Sequence, residues 1–458
     1  MKQLPWFFGL LGAVIAIASW AQLTPQQILA LSVFASFILG TLFYWQFRLA
    51  FAFVGVAVLL LLRLVDVPHL IEFASLDIIL FLIAMMTIIG FLEERKFFEV
   101  LMERLLEAVS HQGAYLLFPA MMCAAMLTAA LVDEVTSILF MTSLTLQLTR
   151  KFKLNPYPFV LMIVLATNIG SSATVVGNPI GVLIALRAGL SFIDFVRWAL
   201  PISLCCLALT IFICSLWFRK PLAELARGVR SAKGEAIQEE KHSEKRFQMA
   251  GIIFLITIFG LIFHHQAEQM LGLQKNALLL GFPFVMAGIC LFIEGVKARE
   301  LVEKRVDWWT LAFFLMLFAS VGTLRFVGVT DRIAGGLQAV AGTNVGLFLV
   351  LILGISALLT AILDNILVVA TFIPIIADLG AKGLPVQALW WGLLFGGTLG
   401  GNATMVGSTA NIVAMGMLEK EKQEIRFVDW LGPGLAVTIP TLLLAFALLY
   451  LQLPLLSK

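Results

Sequence analysis

The sequence predicts an all-α, polytopic membrane protein: about 11 transmembrane helices plus two re-entrant hairpins, arranged as two inverted repeats. Of 458 residues, 61% are hydrophobic and 13% charged, whereas a soluble domain carries about a quarter charged residues. Apolar runs able to cross roughly 30 Å of hydrocarbon as helices recur from Pro5 to Leu451. Similar segments also return at offsets of 230 and 231 residues. The runs are continuous and rich in Leu, Ile, Ala and Phe, which suits helices and not the short alternating strands of a barrel.

In chain order, the expected spans are 5–22, 25–45, 49–65, 76–92, 157–187, 195–217, 249–264, 277–295, 307–324, 388–416 and 430–452. Met1 to Gln22 reads as a first span and not a secretory signal, because another apolar run follows and no cleavage site precedes a polar domain. The polar connection Phe218 to Phe247 carries Arg219, Lys220, Arg227, Arg230, Lys233, Lys241, Lys245 and Arg246. The positive-inside rule therefore places it, and with it the N-terminus, in the cytoplasm of a multi-pass protein of the cell membrane. Lys2, Arg95/Lys96, Arg150/Lys151, Arg299/Lys304 and Lys420/Lys422 fall on the same side only if 114–150 and 345–380 enter and leave on one side, as hairpins. Asp133–Glu134 and Asp364–Asn365 interrupt these two stretches. A carboxylate at bilayer depth costs roughly 2.5 to 3.5 kcal/mol on insertion scales, so each tip needs a wet or protein-lined place.

The repeat aligns Asp77 with Asp307, Leu131-Val132-Asp133-Glu134 with Ile362-Leu363-Asp364-Asn365, and the Gly170–Gly177 stretch with Gly400–Gly407. Residues 76–217 and 307–452 are thereby two copies of one unit, entered from opposite sides of the membrane. Residues 1–75 are N-terminal helices and 218–306 a cytoplasmic loop with connecting helices. An interfacial helix over Phe97–Leu106, and its counterpart over Val329–Val340, would join each opening span to its hairpin.

Inverted repeats with a broken helix in each half place substrate and coupling-ion sites where the repeats meet. Glycines and Pro179 should unwind the helix around Asn168, Thr174, Gly177 and Asn178; the stretch with Asn402, Thr404, Gly407, Ser408 and Asn411 repeats the device. Unwound carbonyls, hydroxyls and amides form the kind of oxygen cage that Na⁺ accepts, with Asp133, Asn168, Asp364 and Asn402 as its candidate ligands. Asp133, Glu134 and Asp364 suit H⁺ or Na⁺ as the coupling ion, while Asp133 and Asp364 could equally cap the second hairpin helices.

Other classes find little support. Cys123, Cys205, Cys206, Cys214 and Cys290 all lie in apolar runs and read as packing residues. A net charge of +3 without a polybasic surface argues against nucleic acid. No phosphate-binding Gly-x-x-x-x-Gly-Lys-Ser/Thr loop, selectivity-filter repeat or nucleophile/base pair occurs, and no cofactor is expected. Glu93 and Glu94 are expected to pair with neighbouring cations at the water interface.

The stretches Val132-Asp133-Glu134-Val135-Thr136, Asn168-Ile169-Gly170, Gly177-Asn178-Pro179, Leu363-Asp364-Asn365 and Gly400-Gly401-Asn402-Ala403-Thr404-Met405-Val406-Gly407-Ser408-Thr409-Ala410-Asn411 resemble the ion transporter superfamily. Within it the sequence is most similar to the ArsB/NhaD permease branch: arsenite permeases, NhaD-type sodium/proton antiporters and the P protein, relatives of the divalent anion/sodium symporters. The resemblance implies a scaffold domain, a transport domain holding hairpins and broken helices, a homodimer and elevator-like alternating access. It puts the site on Asp133, Glu134, Thr136, Asp364 and Asn365 at the tips, with Asn168, Thr174, Gly177, Asn178, Thr404, Gly407 and Asn411 at the breaks. Gly177-Asn178-Pro179-Ile180-Gly181 lacks the acid, second proline and final amide often found there, and the tips lack the Ser-Asn-Thr of the carboxylate symporters. The function expected is a proton- or sodium-coupled antiporter for a small inorganic ion or oxyanion, arsenite/antimonite or Na⁺, with a soluble ATPase subunit if it is an arsenite pump. The alternative is a sodium-coupled symporter of an organic or inorganic anion.

Overall fold

The computed structural model describes residues 4–98, 100, 101, 104, 114–231, 244–423 and 425–456. Among the described residues all regular structure is helical. Among the described residues seven helices have the length and apolarity of membrane spans: Pro25–Phe43, Leu76–Glu94, Phe192–Trp217, Glu244–Leu271, Ala277–Arg305, Trp308–Phe326 and Phe427–Leu456. Shorter apolar helices include Leu4–Trp20, Arg48–Leu61, Tyr157–Gly170 and Pro179–Ala188.

Several expected boundaries move for identifiable reasons. The run 49–65 stops as a helix at Leu61, and Asp66 starts a separate helix, Val67–Phe73, by accepting the His69 N–H at 2.9 Å with Pro68 in its first turn. The run 195–217 begins at Phe192 and passes through a π-turn at Phe195–Ala199. Basic residues Arg219 to Arg227 of the expected loop lie on a helix, Arg219–Ser231, whereas Lys233 and Lys241 lie outside the described residues. Half of the expected helix Phe97–Leu106 is also outside them; its counterpart is the helix Val329–Ala341.

Each hairpin is two helices joined at an aspartate. The first pairs Ala114–Leu131 with Glu134–Lys151, and the second pairs Val345–Thr360 with Asn365–Ala381. The first arms pack against Tyr157–Gly170 and Gln387–Leu399 respectively, so each half repeats the same neighbourhood. Between halves the packing is reciprocal. Pro179–Ala188 lies on the second arm of the second hairpin, and Thr409–Lys420 on the second arm of the first.

Around this centre stands a second set of helices. Leu76–Glu94 packs on Ala277–Glu294, and Trp308–Phe326 on Arg48–Leu61 and Val67–Phe73, so each unit's opening helix faces helices from outside the repeats. Arg305 clasps Glu93 at 2.9 Å and Glu94 at 2.5 Å, and Arg95 pairs with Glu294. The two glutamates thus pair with a cation of a connecting helix.

Candidate functional site

The two helix breaks are built alike. Tyr157–Gly170 ends where the backbone of Met126 leaves no room for a side chain on Gly170, and Gln387–Leu399 ends before Gly400, which lies equally close to the Ala357 backbone. Beyond each glycine the chain leaves the α-helix, then restarts with a polar cap. Asn178 accepts the Gly181 N–H at 2.8 Å ahead of Pro179, and Ser408 accepts the Ala410 N–H at 3.2 Å. Thr174 donates its hydroxyl to the Ala130 carbonyl, and Thr404 donates to the Ala361 carbonyl. These equivalent bonds fasten each break to the hairpin of its own half. Thr174→Val and Thr404→Val should each cost about 1 kcal/mol, the usual net worth of such a bond, read as a lower melting temperature of the purified protein.

At the tips, the cap aspartates use one oxygen on their own helices. Asp133 Oδ1 accepts the Val135 and Thr136 N–H groups, both at 2.8 Å, and Asp364 Oδ1 accepts those of Ile366 at 3.0 Å and Leu367 at 3.4 Å. Asp364 Oδ2 also takes the Thr409 hydroxyl at 3.3 Å, which joins the second tip to the second break. The next residues, Glu134 and Asn365, are buried and equivalent in the repeat. Glu134 lies against the Asn365 amide and the Ser171 hydroxyl, within electrostatic reach of Asp364 and Asp133. The tips of the two halves therefore meet. Among the described residues, the buried acceptors Glu134 Oε2 and Asn365 Oδ1 find no hydrogen-bond partner.

Beside the tips an amide cluster bridges the breaks. Asn168 Nδ2 donates to Asn402 Oδ1 and Asn411 Oδ1, each at 2.8 Å, while its own Oδ1 accepts the Ser408 hydroxyl at 3.1 Å. Asn411 Nδ2 donates to the carbonyls of Gly401 at 2.8 Å and Thr404 at 2.7 Å, which pins the loosened backbone. Asn402 Nδ2 is a buried donor without an acceptor among the described residues.

The residues singled out by sequence thus fall into three groups. Glu134, Asp364 and Asn365 come together at the tips, and Asn168, Asn402, Ser408 and Asn411 at the crossing of the breaks. Asp133, Thr136, Thr174, Thr404 and Asn178 serve local structure, with both polar atoms of the Asn178 amide engaged through Gly181 and Ser171. Gly177 and Gly407 let neighbouring backbone approach. Ser171 and Thr409 were not singled out, although each neighbours a candidate. Trp430, whose Nε1 donates to the Asn402 carbonyl at 3.1 Å, and the buried Arg48 carried no sequence signal.

Residues 41–396 match the family described as citrate transporter, CitMHS. The chain belongs to the CitMHS family. Relatives of the chain include the uncharacterized transporter Rv2684 of Mycobacterium tuberculosis, 32% identical over 82% of this chain and 86% of the relative. The P protein of Homo sapiens is 24% identical over 82% of this chain and 53% of its own length. Among solved structures, the YdaH transporter of Alcanivorax borkumensis shares the fold, with a TM-score of 0.59 over 85% of this chain and 87% of that one at 16% identity. This CitMHS member is a polytopic membrane transporter of the ion transporter superfamily.

Proposed function

We propose that the chain is a cation-coupled secondary carrier that binds H⁺ or Na⁺ between its hairpin tips, at Glu134, Asn365 and Asp364. One observation carries the reading: Glu134 Oε2 and Asn365 Oδ1, at equivalent positions of the two halves, are buried oxygen acceptors without a donor. Buried acceptors without a partner are rare and costly. A proton on the carboxylate, or a small cation between the oxygens, supplies what is missing. The amide cluster of Asn168, Asn402 and Asn411 stands beside the tips and would line the solute's side of the pocket.

Two acids meeting at the tips, Glu134 and Asp364, favour antiport of the cation against a small inorganic solute, arsenite/antimonite or Na⁺ itself. Hairpins and broken helices that pack on one another would move as a body against the surrounding helices, in an elevator-like step within a homodimer, with the basic loops cytoplasmic. A second reading, symport of an organic anion, is favoured by the family's description as citrate transporters and by the unpartnered Asn402 donor. Proteoliposomes separate them. Na⁺-driven proton flux reported by a pH-sensitive dye, or labelled arsenite flux driven by a proton gradient, is expected for the antiporter; sodium-dependent, electrogenic citrate uptake identifies the symporter. Passive, unsaturable current would defeat both.

A further inference from the structure

Arg48 belongs to neither repeat, yet it lies within electrostatic reach of Asp364 at the second hairpin tip. It opens the helix Arg48–Leu61, which packs on Trp308–Phe326, and that helix in turn packs on the second arm of hairpin 2, Asn365–Ala381. The side chain is only 9% exposed. Its guanidinium rests on a hydroxyl and on an aromatic ring. Nη2 donates to Thr310 Oγ1 at 2.8 Å, the Phe313 ring centre lies 5.1 Å away, and the Thr310 hydroxyl is anchored to Asp307 at 2.5 Å. From this seat Arg48 interacts electrostatically with two carboxylates, Asp307 and Asp364.

A buried arginine needs compensating charge, because removing one partner of such a group leaves the other uncompensated. Asp307 supplies part of that charge from the helix on which Arg48 packs. Asp364 sits on the hairpin, whose tip also meets Glu134. We infer that Arg48 is the counter-charge of Asp364 in the cation-free carrier: it positions the second tip against the surrounding helices and competes with the coupling cation for that carboxylate. The inference rests on the cation site proposed above. It adds that the competitor is supplied from outside the repeats, so cation binding and release of the hairpin from the surrounding helices become one equilibrium. Among the described residues, the charged groups facing this pair include Asp307 on the Arg48 side and Glu134 on the Asp364 side.

The purified full chain tests this through the rise in melting temperature that a bound cation produces. Na⁺ is titrated against choline at fixed pH, and protons are titrated in choline chloride. Arg48→Gln is expected to lower the half-saturating concentration of the stabilising cation about tenfold. Thr310→Val, which keeps side-chain shape but releases the guanidinium, should lower it about two- to threefold, and it decides the matter if the Arg48 variant does not fold. Arg48→Lys, which restores the charge, should return the value toward wild type. An unchanged value in Arg48→Gln, or in Thr310→Val where that variant alone folds, overturns the counter-charge role while an Asp364→Asn variant that no longer responds leaves the cation site standing. If Asp364→Asn responds as the wild type does, the cation site itself fails and this inference goes with it.

Discussion

Glu134→Gln is expected to abolish cation-dependent flux in proteoliposomes, by about a hundredfold or more, in a protein that still purifies as a folded species. Glutamine keeps the length and the contacts toward Asn365 and Ser171, but it can neither release a proton nor neutralise a bound cation. A hundredfold loss corresponds to about 2.7 kcal/mol, within the range for removing one charged partner from a buried hydrogen-bonded pair. Asp133→Asn provides the contrast. Asp133 accepts two backbone N–H groups of its own helix, and asparagine caps helices about as well as aspartate, so this variant should lose less than about tenfold. Wild-type flux in Glu134→Gln, or a larger loss in Asp133→Asn, would move the coupling site off Glu134.

That ordering of the two acids shows where sequence reading stops. A carboxylate pair in the middle of an apolar run announces a tip, and glycines with a proline announce an unwound helix; both signals are local and could be read from Asp133 to Pro179. The repeat offset then predicts that Asp364 and the Gly400–Gly407 stretch do the same. Which acid of a pair faces the other half depends on capping. The cap residue turns an oxygen back onto its own first-turn N–H groups, as Asp133 does, so the following residue is the one whose oxygen is left over. A sequence lists Asp133 and Glu134 side by side without saying which is consumed.

Arg48 lay further out of reach. Its run, 49–65, looks like an ordinary span with a basic residue at its end, and such residues usually mark a membrane interface. Only the packing of Arg48–Leu61 on Trp308–Phe326 brings its guanidinium toward Asp364. The amide cluster was half legible: Asn168, Asn402 and Asn411 stand out singly in unwound stretches, but their mutual hydrogen bonds join residues more than two hundred positions apart.

Gly407→Ala should be the most damaging small substitution at the second break. A Cβ there would lie 2.6 Å from the Gly401 carbonyl oxygen and 2.7 Å from that of Thr360. Both obstacles are backbone, one in the break and one at the end of the first arm of hairpin 2, so neither can rotate away. Relief requires separating the break from the hairpin, which strains the Thr404 bond to Ala361 and the Asn411 bonds to Gly401 and Thr404. Overpacking of this kind costs about 1 to 3 kcal/mol, and the displaced amides should reduce transport at least about tenfold, since a misplacement of about 1 Å at a working site can cost roughly a hundredfold. Gly416→Ala, in the helix that follows the same break, is the control. Nothing lies within 4 Å of its added carbon, and alanine favours a helix interior over glycine by roughly 0.5 to 1 kcal/mol, so that variant should melt slightly higher and transport normally. Equal melting temperatures and equal flux in the two variants would mean that the second break does not rest on the hairpin as closely as these distances require, and the shared pocket would lose the backbone contact that shapes it.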